Sequence, residues 1–311
     1  MLQDKGPRRV GDILTASIPS FQNILDTEII RPEDLVYTHS VFLQCFMPLR
    51  HNAKNKLRWQ ADCGKASLVM RAGELVKPNS PNTFKECAVP AGPKARIVTA
   101  YAIDQMYRNR TPEVDLGDTM RKFMTKAEIP ICGSNGHELQ REMENFAAAE
   151  IILGVWTPDG SAHQHQAKVA SRMSFWIEKN PNQRTLWQPS MTASDDFYKS
   201  VIEGAHIAPI YWPGYIALQH NPRAMDIFKF LTYRLRLPLK NPVLLKDSVL
   251  HSMFGRDCKR LAHFWPRFVS SLQEAHKHYP TARVEVLSDC IKLRTSPPLI
   301  PHRKVGVIAG L

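Results

Sequence analysis

At 311 residues, with 43% hydrophobic and 23% charged residues, the chain has the make-up of a soluble globular protein and enough length for about two domains. Its opening, MLQDKGPRRVGDIL, lacks the apolar run of a secretion signal, and its most apolar stretch, Phe146–Trp156, contains Glu150 and is too short to span a bilayer. These features point to a cytoplasmic protein with no membrane partner. The formal net charge is +12 and is unevenly spread: residues 221–311 hold 16 Lys and Arg against 6 Asp and Glu, so this segment alone carries +10. A basic module beside a near-neutral one is the footprint of a protein that lays one face on a polyanion.

In chain order, residues 1–35 read as an N-terminal arm of basic, Pro-containing and short apolar pieces. A β-rich extension follows, with strands expected over Val36–Leu49 and Ala66–Leu75, and the Pro-containing stretch 76–91 reads as a loop. From Gly92 the period becomes helical: over Lys94–Tyr107, Ile97, Val98, Tyr101, Ala102 and Met106 fall on one side. A short strand (Glu113–Leu116) and a second helix (Thr119–Ala127) come next. The polar turn Cys132-Gly133-Ser134-Asn135-Gly136 then opens a third helix, His137–Ala149. Strands over Glu150–Trp156 and Ala167–Glu178, joined by the turn Thr157-Pro158-Asp159-Gly160, close the unit. Three helices followed by a hairpin is the order of a winged helix, whose third helix can enter the major groove.

The basic half repeats that order. A helix over Pro222–Leu237 turns Ile227, Phe228, Leu231 and Leu235 inward and Lys229, Arg234 and Arg236 outward. Further helices are predicted over Leu245–Phe254 and Asp257–Tyr279, and a hairpin pairs Arg283–Val286 with Cys290–Leu293. The fold class is therefore α+β: tandem winged helices, the first (36–205) with an N-terminal β-rich extension, the second (206–301) basic, and a tail over 302–311. The six cysteines are scattered, which suits reduced, packed thiols.

Several separated blocks carry a resemblance. Phe264, Phe268 and Leu272 at spacing four, Tyr279-Pro280 before the last hairpin and Ser296-Pro297-Pro298 after it resemble the closing segment of plasmid-encoded RepA-type replication initiators. Thr38–Arg50, Ala91-Gly92-Pro93-Lys94-Ala95-Arg96, Leu186-Trp187 and Ala224-Met225-Asp226-Ile227 are similar to further blocks of that family, in the same order. The resemblance implies a sequence-specific protein with tandem winged helices that binds repeats at a plasmid origin and recruits host replication proteins. One departure stands out. Pro266 falls inside the expected recognition helix, so either the helix kinks there or it begins near Trp265, which leaves open whether Lys259, Arg260 and His263 share a face with Arg267.

No phosphate-cradling GxxxxGK[ST] loop, HExxH pair or zinc-type Cys/His spacing is present in the sequence; His276 and His278, at i and i+2 on a helix, point apart, and His163 and His165 read as solvated loop histidines in a wing. Asp195-Asp196 and Glu142/Glu144 do not form a nuclease-like constellation. The expectation is a protein with no catalysis, cofactor or metal, whose partners are double-stranded DNA and host replication proteins, acting as a monomer or a homodimer. In the second unit Arg256, Lys259, Arg260, His263, Arg267 and Lys277 lie on or before the third helix, opposite Leu261, Phe264, Phe268 and Leu272. Arg260 and Arg267 are the first candidates to read bases, since Arg pairs bidentately with guanine. Lys292 and Arg294 on the hairpin, with Arg303 and Lys304 beyond it, are candidates for phosphates. In the first unit Ser134, Asn135, His137, Gln140 and Arg141 open the third helix. Glu138, Glu142 and Glu144 share that helix, and the unit is read either as a second DNA contact or as a protein-contact domain. A winged-helix transcriptional regulator, or a RepA-like subunit reused in another assembly, is the alternative reading.

Overall fold

The structure, a computed structural model, describes residues 30–77, 80–117, 120–131, 133–156, 160–174, 190–203, 207–239 and 242–300. Most of the arm, the tail from 302 and Leu186-Trp187 lie outside them. The described part mixes helices with small antiparallel sheets. Strands β1 (Leu35–His39), β2 (Arg58–Cys63), β3 (Ala66–Arg71), β4 (Glu74–Val76) and β5 (Phe84–Glu86) precede α1 (Gly92–Asn109). Then come β6 (Glu113–Asp115), α2 (Met120–Lys126), α3 (Gly133–Ala148), β7 (Glu150–Trp156), β8 (Ala162–Lys168), β9 (Ala170–Ser174), β10 (Ser190–Ala193), α4 (Asp195–Ile202), β11 (Ile207–Tyr211) and α5 (Trp212–Ala217). The basic half holds α6 (Pro222–Arg236), β12 (Val243–Lys246), α7 (Asp247–Phe254), α8 (Leu261–Lys277), β13 (Val284–Val286) and β14 (Cys290–Leu293).

The helices with clear periodicity fall close to where the sequence puts them; the strands are more broken than expected. Val36–Leu49 is extended only to His39 and then tightens into a 3-10 turn over Ser40–Leu43. That turn is buried, so its apolar run reflects packing and not strand period. Gly73 separates β3 from β4, because a Cβ there would lie 2.1 Å from the Ala148 carbonyl oxygen. The expected loop 76–91 contains β5, paired to β4. Within the strand foreseen over Ala167–Glu178, residues 167–174 are the end of β8 and the whole of β9, and residues 175–178 lie outside the described residues. The helix foreseen from Leu245 begins at Asp247, since Val243–Lys246 pairs with Leu293–Cys290 as a strand.

The two halves differ in how their strands close. In the basic half the strand between the first two helices joins the terminal hairpin, in the order β12-β14-β13. In the first half β6 pairs with β10, in a sheet ordered β6-β10-β9, while β7 and β8 extend the N-terminal strands as β2-β3-β7-β8. A further ribbon joins β1 to β11.

The core is continuous across the chain, and α6 runs through it. Asn221 caps this helix by accepting a hydrogen bond from the Ala224 N–H (3.1 Å), and Pro222 fits the first turn, where its missing N–H costs nothing. All residues from Arg223 to Thr232 are buried. The outward placement expected for Lys229 is therefore corrected: it is 5% exposed, and its Nζ donates to the Phe42 carbonyl (3.1 Å) and lies 3.3 Å from Asp226. Asp226 in turn receives both forks of Arg96, at 2.9 and 2.5 Å. Arg96 uses its remaining donors on the carbonyls of Met47, Pro48 and Gly92. Every charged atom of the cluster thus has a partner, which a buried ion pair requires. The expected core of the basic half (Ile227, Phe228, Leu231, Phe264, Phe268, Leu272 and Val286) is buried throughout.

Asp226→Asn leaves the Arg96 charge buried and unbalanced, and we expect a loss of about 3–5 kcal/mol in urea unfolding; a loss below about 1 kcal/mol would show the cluster to be incidental. Burial, followed by the charge of Arg96 and opposed by Asp226, pushes Lys229 down to about 8 from its ordinary 10.5. Between those values the unfolded chain binds a proton that the folded chain does not, so raising the pH stabilises the fold through this group. Wild type should therefore gain stability relative to Lys229→Met as pH rises from about 8, by up to about 1.4 kcal/mol per pH unit. A flat or falling difference would contradict the assignment.

Candidate nucleic-acid interface

Helix α8 separates its faces cleanly. Phe264, Phe268, Leu272 and Ala275 are at most 1% exposed and pack inward. On the opposite side His263, Arg267, Ser270 and Lys277 are exposed, at spacings of four, three and seven residues that keep side chains in one row. Arg260 occupies the N-cap position and leads into the same row, and Lys259 before it is also exposed. The helix starts at Leu261 and contains Pro266 in its second turn, so Arg260, His263 and Arg267 do share a face. Pro266 has no N–H to offer the Ala262 carbonyl; Ala262 is exposed, where water can serve that oxygen. Leu261, expected inward, is 36% exposed at the helix start.

Among the described residues, the side chains of Lys259, Arg260, Arg267 and Lys277 have no carboxylate partner. The other candidates on this unit are engaged. Arg256 donates to the carbonyls of Ser252 (2.9 Å) and Gln60 (3.0 Å) and meets Asp62 at 3.3 Å, so it ties this unit to β2. On the hairpin Lys292 and Arg294 both face Glu285, at 3.1 and 3.8 Å, which offsets part of their charge. Arg303 and Lys304 lie outside the described residues.

What aims α8 is the turn over 255–260, whose determinants the sequence reading missed. Arg223, on the buried side of α6, donates to the Phe254 carbonyl (3.2 Å) and pairs with Asp257 at 3.0 Å. His251 Nε2 contacts the Cys258 carbonyl oxygen at 2.7 Å. Gly255 is required by space, since a Cβ would meet both the His251 ring and the Phe264 ring at 2.6 Å. Tyr279, from the motif before the last hairpin, is buried; its hydroxyl donates to the Pro297 carbonyl (2.8 Å) and accepts from the Leu299 N–H (3.1 Å), which ties the Ser296-Pro297-Pro298 segment to the end of α8. A buried Arg in an otherwise apolar helix face was the available sequence signal for Arg223, but its partner is 34 residues away.

In the first unit α3 begins at Gly133, so the polar turn forms its first turn and is not a preceding loop. Ser134 falls there with its side chain outside the described residues. Asn135 donates to the Pro130 carbonyl (2.9 Å), and Gln140 donates to Glu144 (3.3 Å), so both side chains are occupied. His137 and Arg141 face solvent. Two of the helix's carboxylates turn inward. Glu142 is 2% exposed, and Glu144 is 7% exposed and paired with Lys85. Burial would raise the Glu142 pKa, but hydrogen bonds from His51 (2.7 Å) and the Ala91 N–H (3.0 Å), the charge of His51 and a hydrogen bond from Arg141 outweigh it and hold the carboxyl below its usual value. Only Glu138 of the three remains on the exposed side. His163 and His165 sit on strand β8, both exposed.

The family described as plasmid encoded RepA protein matches residues 89–241, the region from the approach to α1 through α6. Two solved structures register a likeness. The selenomethionine crystal structure of domains 2 and 3 of RctB is 8% identical with a TM-score of 0.43, covering 86% of this chain and 99% of that one. A second structure of RctB domains 2–3 is 8% identical with a TM-score of 0.40, covering 82% and 96%. A comparison with curated proteins gives no match.

Gly255→Ala forces a methyl into two rings and should cost about 1–3 kcal/mol, read by thermal or urea unfolding. An unchanged midpoint would mean that the turn before α8 is looser than its contacts imply.

Proposed function

We propose that this chain, of the RepA type over residues 89–241, is a plasmid replication initiator that binds repeated duplex sites at an origin and recruits host replication proteins, acting by binding and not by catalysis. On this reading the units 36–205 and 206–301 are tandem winged helices. The support for the second is its order, α6-β12-α7-α8-β13-β14, with the strands arranged β12-β14-β13. That is the helix–strand–helix–helix–hairpin plan in which the third helix enters the major groove.

The observation that carries the reading is the row of cations on α8. Four basic side chains stand on the exposed approach and face of one helix, without carboxylate partners among the described residues, while the same helix is anchored by two fully buried phenylalanines. Unpaired surface cations repel one another, so such a row costs stability unless a polyanion faces it. Arg260 and Arg267 sit where base edges would be reached, and Lys259 and Lys277 flank them as phosphate contacts. Glu274 also lies along the row, but it is drawn aside by Asn221 and His220.

Binding titrations on the cognate repeat and on scrambled duplex, at several salt concentrations, separate these roles. Arg260→Ala and Arg267→Ala should lose roughly 1–3 kcal/mol on the repeat and little on scrambled DNA. Lys277→Ala should weaken both alike and flatten the log-affinity against log-salt slope by about 0.9. Equal losses of the two arginine variants on both duplexes would sink the base-reading role, and absence of a footprint on the plasmid origin would sink the initiator reading.

A further inference from the structure

The motif Ala91-Gly92-Pro93-Lys94 is not used by the α8 interface, yet it forms one wall of a second basic feature. A cavity of about 250 Å³ opens between Leu49–His51, the start of α1 and the middle of α3. It holds several times the ~30 Å³ that one water occupies in the liquid. Arg50, His51, Lys94 and Arg141 line it, together with Glu138 and Glu142. We propose that this cavity seats a backbone phosphate of the bound duplex, so that the first unit grips DNA beside the segment read by α8; the inference rests on the DNA-binding reading above.

The carboxylates decide whether the cavity is basic. Glu142 is committed to the protein: its oxygens take the His51 ring nitrogen at 2.7 Å, the Ala91 N–H at 3.0 Å and Arg141 Nε at 3.1 Å. It therefore positions the His51 ring and the Arg141 guanidinium, and its own acceptor capacity is spent on them and on the Ala91 N–H. Lys94 is 6% exposed and is steadied by the Gln219 side chain at 3.3 Å. Arg50 is exposed, its carbonyl held by Asn55 (3.1 Å) in a turn that Asn52 and Asn55 stabilise, and its guanidinium has no carboxylate partner among the described residues. Gly92, at φ +77°, adopts a backbone conformation that favours glycine and brings the chain past Leu49 at the cavity wall. Glu138 is the one exposed carboxylate at the rim. Arg141 lines the cavity and faces solvent on α3, one helical turn from the exposed His137, so an occupant here is continuous with a surface able to follow a phosphate backbone.

The test uses the full chain in salt-dependent titrations on cognate and scrambled duplexes. Arg50→Ala should weaken binding alike on both and flatten the salt slope by up to about 0.9, the share of one phosphate, and adding Arg141→Ala should weaken binding further within that same ceiling on the slope. Glu138→Gln should tighten binding on both, a gain that a misfolded variant cannot produce. A parallel thermal-shift arm adds inorganic phosphate or ATP to wild type and the double variant. If wild type binds DNA and none of the three variants changes affinity or slope, the cavity is not a DNA contact and the proposal fails while the DNA-binding reading stands. If phosphate or ATP stabilises wild type but not the double variant and the DNA slopes are unchanged, the cavity serves a free phosphate ligand and the proposal is overturned. If wild type binds no duplex at all, both readings fall together.

Discussion

The buried contact of Arg96 with Asp226 is the constraint on which the arrangement of both halves depends. A guanidinium and a carboxylate that are both essentially inaccessible must be matched donor for acceptor, because each unmet bond in the interior costs the full desolvation of the group. Arg96 meets this demand by reaching three backbone carbonyls as well as Asp226, and Lys229 completes the cluster through Phe42. Three segments far apart in sequence (Phe42–Pro48, the first turns of α1 and the middle of α6) are thereby fixed in one geometry. Hydrophobic burial alone would tolerate small sliding between them; a bidentate pair does not.

From that fixed centre the orientation of α8 follows by short steps. α6 carries Asp226 on one flank and Arg223 on another, and Arg223 grips the turn that feeds α8. Arg256 ties the same turn to β2, while Phe254 stacks on Phe46 (4.7 Å) beside the segment that Arg96 holds. The cations of α8 are therefore displayed on a helix whose aim is set by the junction between the halves. The surface that faces solvent is determined by what is buried behind it.

The same logic separates the charged residues of α3. A helical count puts Glu138, Glu142 and Glu144 on one element, where they look like a liability for a polyanion. In the structure two of them turn inward to anchor His51, the Ala91 N–H and Lys85, and what remains outside is more basic than the composition of the helix suggests. Charge counted along a sequence overstates repulsion whenever carboxylates are spent on internal hydrogen bonds.

Local pattern alone located α1, α6, the body of α8, β7 and the last hairpin, because apolar periodicity and punctuating prolines are properties of neighbouring residues. It also identified the excess charge of the basic half and the individual cations on and before α8, but with Pro266 in the way it left their common face open, which only the helix start at Leu261 decides. Tertiary structure decided the rest. Lys229 reads as a surface residue by composition and is interior because Asp226 and the Phe42 carbonyl, 187 residues away, receive it. The second half of β12, Leu245–Lys246, reads as the start of a helix by local pattern, because only pairing with Cys290–Leu293 makes Val243–Lys246 extended. Arg256, one of several basic residues before α8 in sequence, is taken up by Gln60 and Asp62 on a strand nearly 200 residues earlier. Each of these outcomes depends on a partner distant in the chain, and a hydrogen bond or strand pair of that kind leaves no trace in the local pattern of residues.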